Sequence, residues 1–176
     1  MHAPHDTLLV MLPPAKARGQ DLVDHGFVSA VRDRGLPVDV RVMDVQADYY
    51  LDGDVGERLA ADILVPARGY LRVWLMGISL GGYGCIELAR RRARELAGLI
   101  LLAPFLGSRG PEALEPADEQ WFAATYLGFG ERDRYAASSE NLALRLAPAR
   151  VLKLPGEHDW PTWLRLWQAL LDKPVL

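Results

Sequence analysis

Short apolar runs alternate with helix-like stretches along the whole chain. Strands are predicted at residues 7–12, 38–43, 71–76, 98–103, 125–130 and 150–154. Helices are predicted at 20–34, 55–64, 80–94, 139–146 and 161–171. This alternation predicts an α/β protein, a doubly wound three-layer sandwich of about six mainly parallel strands with helices on both faces. Ligands bind beyond the carboxyl ends of such strands, so the residues that follow each strand are the candidates for chemistry.

The turn after the third predicted strand carries a serine among glycines. It reads MGISLGGYG, in which Gly77-Ile78-Ser79-Leu80-Gly81 fits the pattern G-x-S-x-G. A serine hydroxyl is a weak nucleophile that has to stand clear of the backbone, and small neighbours give room for a sharp strand-to-helix turn. The first amides of the next helix lack partners within that helix, so the Leu80 N–H is available to an oxyanion. The competing interpretation is that Ser79 only caps the helix.

An acid and a histidine follow the last two predicted strands. The first of these strands is followed by GERD, which ends in Asp133, and the second by PGEHDW, which contains His158. Neighbouring parallel strands bring their ends close together, so these two side chains are expected to be neighbours. Glu131 and Asp118 are alternatives for orienting the imidazole, whereas Asp159 is expected to cap the final helix. The other histidines lie near the N-terminus or in the first predicted helix, away from any strand's carboxyl end.

Serine, acid and histidine in this chain order resemble the α/β-hydrolase superfamily. GISLG matches its nucleophile elbow, GERD its acid loop and PGEHDW its histidine loop. The resemblance implies Ser79 as the nucleophile, His158 as the general base and acid, and Asp133 as the group that holds the imidazole tautomer and stabilises its charge. It further implies a carboxylesterase-like serine hydrolase that cleaves a small ester or thioester through an acyl-enzyme, with no cofactor and no metal.

The sequence departs from the common superfamily pattern in several places. The loop after the first strand usually carries His-Gly, but here it reads Leu12-Pro13-Pro14-Ala15. Because proline has no N–H, Ala15 offers the first backbone donor for the second half of the oxyanion hole, and Lys16 the next. The chain starts at what resembles the superfamily's third strand, so the antiparallel edge of larger members is not expected. Residues 107–120 are too short for a helical cap, which predicts a minimal core without a lid.

Four aromatic residues are candidates for contact with substrate. Tyr49 and Tyr50 follow the second predicted strand, and Phe105 follows the fourth, where it is placed to form an apolar acyl pocket. Trp160 adjoins His158 and is placed to wall the same pocket. The competing interpretation for Trp160 is core packing, because the tryptophans of the last helix recur at helical spacing.

Composition narrows the class of protein. A chain of 176 residues, half of them hydrophobic and 24% charged, suits a single globular domain over 1–176. The net charge of -3 gives no electrostatic reason to expect nucleic acid or a membrane surface as a partner, which leaves a small-molecule ester-type substrate. With one cysteine, no signal-peptide pattern and no membrane-length apolar stretch, the protein is expected to be cytoplasmic. The oligomeric state stays open.

Two alternative hypotheses accompany the esterase. The first is a catalytically silent α/β-hydrolase-like module that binds a ligand or a partner protein, because fold does not fix function. Ser, Asp and His at three strand ends argue against it, since a binding module does not need all three. The second is a peptidase, a carbon-carbon hydrolase or an acyltransferase, which use the same motifs. The esterase is preferred because an uncapped core suits a small, simple substrate.

Overall fold

The centre of the protein is a parallel sheet of six strands. The computed structural model describes residues 5–51, 53–107 and 124–176. The strands are β1 (Thr7–Leu12), β2 (Val38–Val42), β3 (Arg72–Ile78), β4 (Gly98–Leu102), β5 (Thr125–Gly130) and β6 (Val151–Leu154). They pair in the order β2-β1-β3-β4-β5-β6, with every pair parallel. The predicted strands are confirmed, and β3 runs further than expected, to the residue before Ser79.

Helices pack on both faces of the sheet. They are α1 (Gly19–Asp24), α2 (Phe27–Arg32), α3 (Val55–Leu64), α4 (Leu80–Arg92), α5 (Ala136–Ala143) and α6 (Trp160–Leu171). Helix α3 packs against α4, whereas α2 packs against α6, where Trp167 Nε1 donates to the Phe27 carbonyl over 2.9 Å. Right-handed crossovers place α1 and α2 on the face opposite α3 and α4, so the doubly wound sandwich is confirmed. No helix in the described ranges is long and apolar enough to span a bilayer.

The helix predicted over 20–34 is wrong as a single element. It is divided into α1 and α2 by Gly26, which adopts the left-handed φ of 87°. The Gly26 N–H donates to the Val23 carbonyl and closes α1, while the Gly26 carbonyl accepts from the Ala30 N–H and opens α2. Because glycine reaches positive φ without steric cost, it turns the chain at a point where the apolar spacing runs on unbroken.

The strand order opens a crevice between β1 and β3. The chain leaves β1 towards α1 on one face and leaves β3 towards α4 on the other, so the two connections diverge at their carboxyl ends. Such a switch point is the usual ligand site of an open parallel sheet. The described residues include no cap domain over this edge; most of the predicted lidless connection at 107–120 lies outside them.

Candidate active site

Ser79 lies on the sharp turn between β3 and α4. Its backbone has φ 51° and ψ −111°, a strained conformation for a residue other than glycine. The surrounding backbone fixes it: its N–H donates to the Leu102 carbonyl over 2.9 Å, and its carbonyl accepts from Tyr83 N–H at 3.2 Å and Phe105 N–H at 2.9 Å. Its side chain makes no capping hydrogen bond to α4. The hydroxyl therefore does not serve the helix, which removes the capping interpretation.

The glycines of the turn are required by space. A Cβ on Gly77 would overlap the Gly81 carbonyl, and a Cβ on Gly81 would overlap the Leu12 carbonyl at the end of β1. A Cβ on Gly82 would lie 2.8 Å from the Pro104 Cβ. Three backbone segments thus meet around the serine with no room for side chains. This close approach is what the small residues of the motif permit.

The structure brings the three predicted polar side chains together. His158 Nε2 lies 2.9 Å from Ser79 Oγ, and His158 Nδ1 lies 2.7 Å from Asp133 Oδ2. Because a carboxylate only accepts hydrogen bonds, we assign the ring proton to Nδ1, an arrangement in which Nε2 accepts from the serine hydroxyl. The Asp133 side chain is fully buried, and its second oxygen accepts from the Tyr135 N–H at 2.7 Å. Glu131 is exposed, and Asp118 lies outside the described residues.

Close contact between two loops explains why Asp133 and His158 meet. The Arg132 N–H donates to the Gly156 carbonyl over 2.9 Å, one link between the loop after β5 and the loop after β6. A Cβ on Gly130 would lie 2.5 Å from that same carbonyl. Glycine at this strand end therefore lets the two loops pack backbone to backbone, which sets the acid beside the histidine.

Two aromatic rings hold the imidazole edge-on. The rings of Tyr135 and Trp163 each lie 4.9 Å from that of His158, at interplanar angles of 83° and 88°. The sequence analysis did not single out Tyr135, and the helical spacing of the tryptophans predicted only that the last helix packs against the core. Trp160, which is predicted to border the substrate pocket, stacks on His25 at 4.1 Å and packs against Trp163 at 5.3 Å.

Solved structures share this architecture. The fluorophosphonate-binding serine hydrolase F of Staphylococcus aureus superposes with a TM-score of 0.77 at 13% identity, over 98% of this chain and 84% of that one. A ferulic acid esterase gives 0.75 at 14% identity, over 97% and 83% of the two chains. A protein of the α/β-hydrolase superfamily from Xanthomonas campestris gives 0.64 at 20% identity, over 94% and 98%. The chain has the α/β-hydrolase fold. Neither protein-family models nor curated proteins give a match to the sequence.

In this α/β-hydrolase fold, the loop after β1 borders the serine turn. The Pro13 carbonyl lies against Gly81, where a Cβ would be 2.7 Å away from it. Beyond it, Ala15 is exposed and Lys16 adopts a left-handed φ of 63°. On the other side, Leu80 is the first residue of α4, where the helix's own carbonyls supply no partner for its N–H. The two predicted oxyanion donors therefore lie close to a backbone contact: Leu80 directly precedes Gly81, and Ala15 comes two residues after Pro13.

Tyr49 and Tyr50, the two tyrosines that are candidates for contact with substrate, contact neighbouring helices. The Tyr49 hydroxyl donates to Asp62 Oδ2 over 2.6 Å, and the Arg58 guanidinium lies 4.5 Å from its ring centroid. The Tyr50 ring lies over α4, where a Cβ on Gly84 would be 3.0 Å from it. Burial raises the pKa of the Tyr50 phenol above its ordinary value. No hydrogen bond from either phenol to a triad side chain is present among the described residues.

The single cysteine, Cys85, is buried within α4. Burial raises the pKa of its thiol, which disfavours the reactive thiolate. No group of three or more His, Cys, Asp or Glu side chains in the ranges 5–51, 53–107 and 124–176 could hold a metal ion. The reactive groups assembled at the carboxyl edge of this α/β-hydrolase fold are therefore the serine, the histidine and the aspartate.

Asp159 caps α6, as the sequence predicts. Its Oδ1 accepts from the Thr162 N–H over 3.0 Å, and Pro161 stands in the first turn of the helix. Hydrogen bonding from Thr162 lowers the pKa of Asp159 below its ordinary value and outweighs the opposing effect of partial burial. Although Asp159 is adjacent to His158 in sequence, its carboxylate is occupied by the helix rather than by the imidazole.

Replacing Asp159 with alanine is expected to lower the free energy of unfolding by about 1 kcal/mol at neutral pH, because α6 loses its N-cap. The folded-state pKa of this carboxyl is depressed, so the ionised cap stabilises above the ordinary carboxyl pKa. That contribution is lost as the pH falls through the folded-state value. Urea unfolding at pH 7 and at about pH 3 checks this. If the free energies of unfolding of parent and variant differed by the same amount at both pH values, the result would contradict an ionised cap.

Proposed function

We propose that the protein is a serine hydrolase that cleaves a small carboxylic ester, with Ser79, His158 and Asp133 as its catalytic triad. One observation carries the proposal: a continuous set of short hydrogen bonds, 2.9 Å and 2.7 Å long, joins the serine hydroxyl, the imidazole and a buried carboxylate. The strained backbone of Ser79 adds support, since strain of this kind recurs at active sites. The esterases and hydrolases that share the fold support the same class of reaction.

The geometry supports an acyl-enzyme mechanism. Ser79 Oγ attacks the ester carbonyl carbon while His158 Nε2 takes its proton, and the resulting imidazolium is stabilised by Asp133. The oxyanion of the tetrahedral intermediate faces the N–H groups of Leu80 and Ala15. His158 returns the proton to the departing alcohol, which leaves the acyl group on Ser79. Water then attacks with His158 again as the base, releasing the acid and the free serine.

A small ester is the preferred substrate because of where the triad lies. The triad lies at the carboxyl edge of the sheet, and residues 107–120, the connection into which a cap would be inserted, are too few for a helical cap. Such a site suits a compact, soluble acyl group better than a long lipid chain. The same chemistry serves a thioester, whose leaving group needs less assistance from the general acid.

Labelling with a fluorophosphonate probe tests the proposal. The probe is expected to modify Ser79, found by peptide mass mapping, because its phosphorus reacts with an activated serine as an ester carbonyl does. Replacing His158 with alanine is expected to slow labelling by about 100-fold or more, since the general base is lost.

His25→Ala provides the matched control. His25 is exposed and stacks on Trp160, so its loss is expected to leave the labelling rate unchanged. Folded parent protein that resists the probe and hydrolyses no ester would overturn the proposal in favour of a silent binding module. A His158→Ala protein that is labelled as fast as the parent would count against His158 as the base.

A further inference from the structure

Three aromatic residues are attached to the triad through their backbone amides. The N–H groups of Tyr83 and Phe105 donate to the Ser79 carbonyl, at 3.2 Å and 2.9 Å. The N–H of Tyr135 donates to Asp133 Oδ1 at 2.7 Å. The backbones of the three residues are thereby held close to a reacting or orienting group.

The three rings also contact one another in series. The rings of Tyr83 and Phe105 lie 6.2 Å apart at 59°, and those of Phe105 and Tyr135 lie 5.7 Å apart at 60°. Tyr135 then meets His158 edge-on at 4.9 Å, and His158 bonds to Ser79. The contacts therefore run from Tyr83 through the other two rings and His158 to Ser79, whose carbonyl accepts from the Tyr83 N–H. We call Tyr83, Phe105 and Tyr135 the aromatic wall.

The three residues of the aromatic wall are half-buried. Ala103 and Leu106, in the connection after β4, are buried, whereas Phe105 between them is half-buried. Partly exposed apolar surface beside a nucleophile is the kind of surface that substrate covers. Since the tilted and edge-on geometry of the wall is the geometry that aromatic pairs prefer, a further ring would extend the series favourably.

We propose that the aromatic wall binds a planar aromatic ring carried by the ester, on either its acid or its alcohol part. The inference rests on the proposed function, because it assigns the substrate class of that same site. A saturated ring of the same size buries a similar area but has no π-system to engage the wall. Specificity for aromatic over saturated rings therefore separates this proposal from general apolar binding.

Two isomeric esters and their saturated counterparts test the proposal. Benzyl acetate is compared with cyclohexylmethyl acetate, and methyl phenylacetate with methyl cyclohexylacetate. The aromatic member of at least one pair is expected to have a kcat/KM about threefold to tenfold higher. A preference within the acetate pair assigns the ring to the alcohol part, and a preference within the methyl ester pair assigns it to the acid part.

Phe105→Leu removes the central ring of the wall and is expected to lower kcat/KM for the aromatic esters more than for the saturated ones, which reduces the aromatic preference. Tyr126→Leu is the matched control, because Tyr126 is also half-buried but lies near the start of β5, 6.2 Å from the Trp74 ring. The control is expected to keep the preference. A Phe105→Leu protein that keeps the full preference would overturn the role of the wall.

Failure of this proposal and failure of the proposed function give different results. Hydrolysis that depends on Ser79 but shows no aromatic preference in either pair overturns only the wall. If no ester is hydrolysed, the wall is still tested by NMR titration of Ser79→Ala with benzyl acetate and cyclohexylmethyl acetate. Tighter binding of the aromatic ester, with a difference that Phe105→Leu reduces, supports the wall, and equal binding of the two esters overturns it.

Discussion

Replacing Ser79 with alanine is expected to reduce kcat for p-nitrophenyl acetate or butyrate by about 10⁴-fold to 10⁶-fold. The hydroxyl oxygen forms the bond to the acyl group, so no other atom of the site takes over its role. The fold should be unaffected, because the hydroxyl makes no capping bond to α4. Hydrolysis rates under saturating substrate measure the effect, and unfolding curves confirm that the variant is native.

Ser139→Ala is the matched control for this experiment. Ser139 is a fully buried serine of α5 whose hydroxyl has no hydrogen-bond partner within the described part of the chain. Its replacement is expected to leave kcat within about twofold of the parent, as for a serine outside the triad. A Ser79→Ala protein that hydrolyses either ester as fast as the parent would show that another group is the nucleophile.

Replacing Asp133 with asparagine is expected to lower kcat by about 10⁴-fold. The amide has the same shape, but its NH₂ group cannot accept the Nδ1–H of His158, and its carbonyl carries no charge to stabilise an imidazolium. The imidazole then favours the tautomer with its proton on Nε2, which cannot accept the proton of Ser79. Steady-state kinetics on the same esters measure the loss, with circular dichroism to check the fold.

Asp159→Asn separates the two neighbouring carboxylates. Asparagine is as good an N-cap as aspartate, so α6 keeps its cap and the triad is not touched. This variant is expected to keep nearly all of its activity. If Asp159→Asn severely lowered kcat while Asp133→Asn left it normal, Asp159 rather than Asp133 would be the residue that orients His158.

The sheet could be predicted from sequence because strands buried on both faces are continuous apolar runs. β1 is buried along its whole length, and β3 from Val73 onwards, and both stand out as such runs. The division at Gly26 could not be predicted, since a lone glycine is also tolerated inside helices. Helix α5 begins at Ala136, before its predicted start, because the Ala136 N–H is taken by the Asp133 carbonyl in the acid loop. That contact depends on the loop and not on helical spacing.

The positions of the candidate triad could be predicted because chemistry in such a sheet gathers at strand ends. The contacts of the aromatic rings around the candidate triad could be predicted less completely than the triad itself. Helical spacing shows that Trp163 is buried but not that it faces His158. Tyr49 follows a strand at the correct edge, yet its hydroxyl is bonded to Asp62 of α3, a contact that depends on how two helical segments pack. Side-chain partners across elements are set by tertiary packing, which a single sequence does not encode locally.

Ser79 and His158, the proposed nucleophile and base, follow strands that differ in burial. β6 is an outer strand with only partly buried side chains, whereas β3 is central and almost completely buried. Local opening free energies are lowest where few contacts hold the backbone, so the outer strand β6 is expected to detach more readily than β3. Such a fluctuation carries His158 away while the serine turn stays folded. If the proposed function is correct, activity is therefore expected to be lost on mild denaturation before the rest of the sheet unfolds.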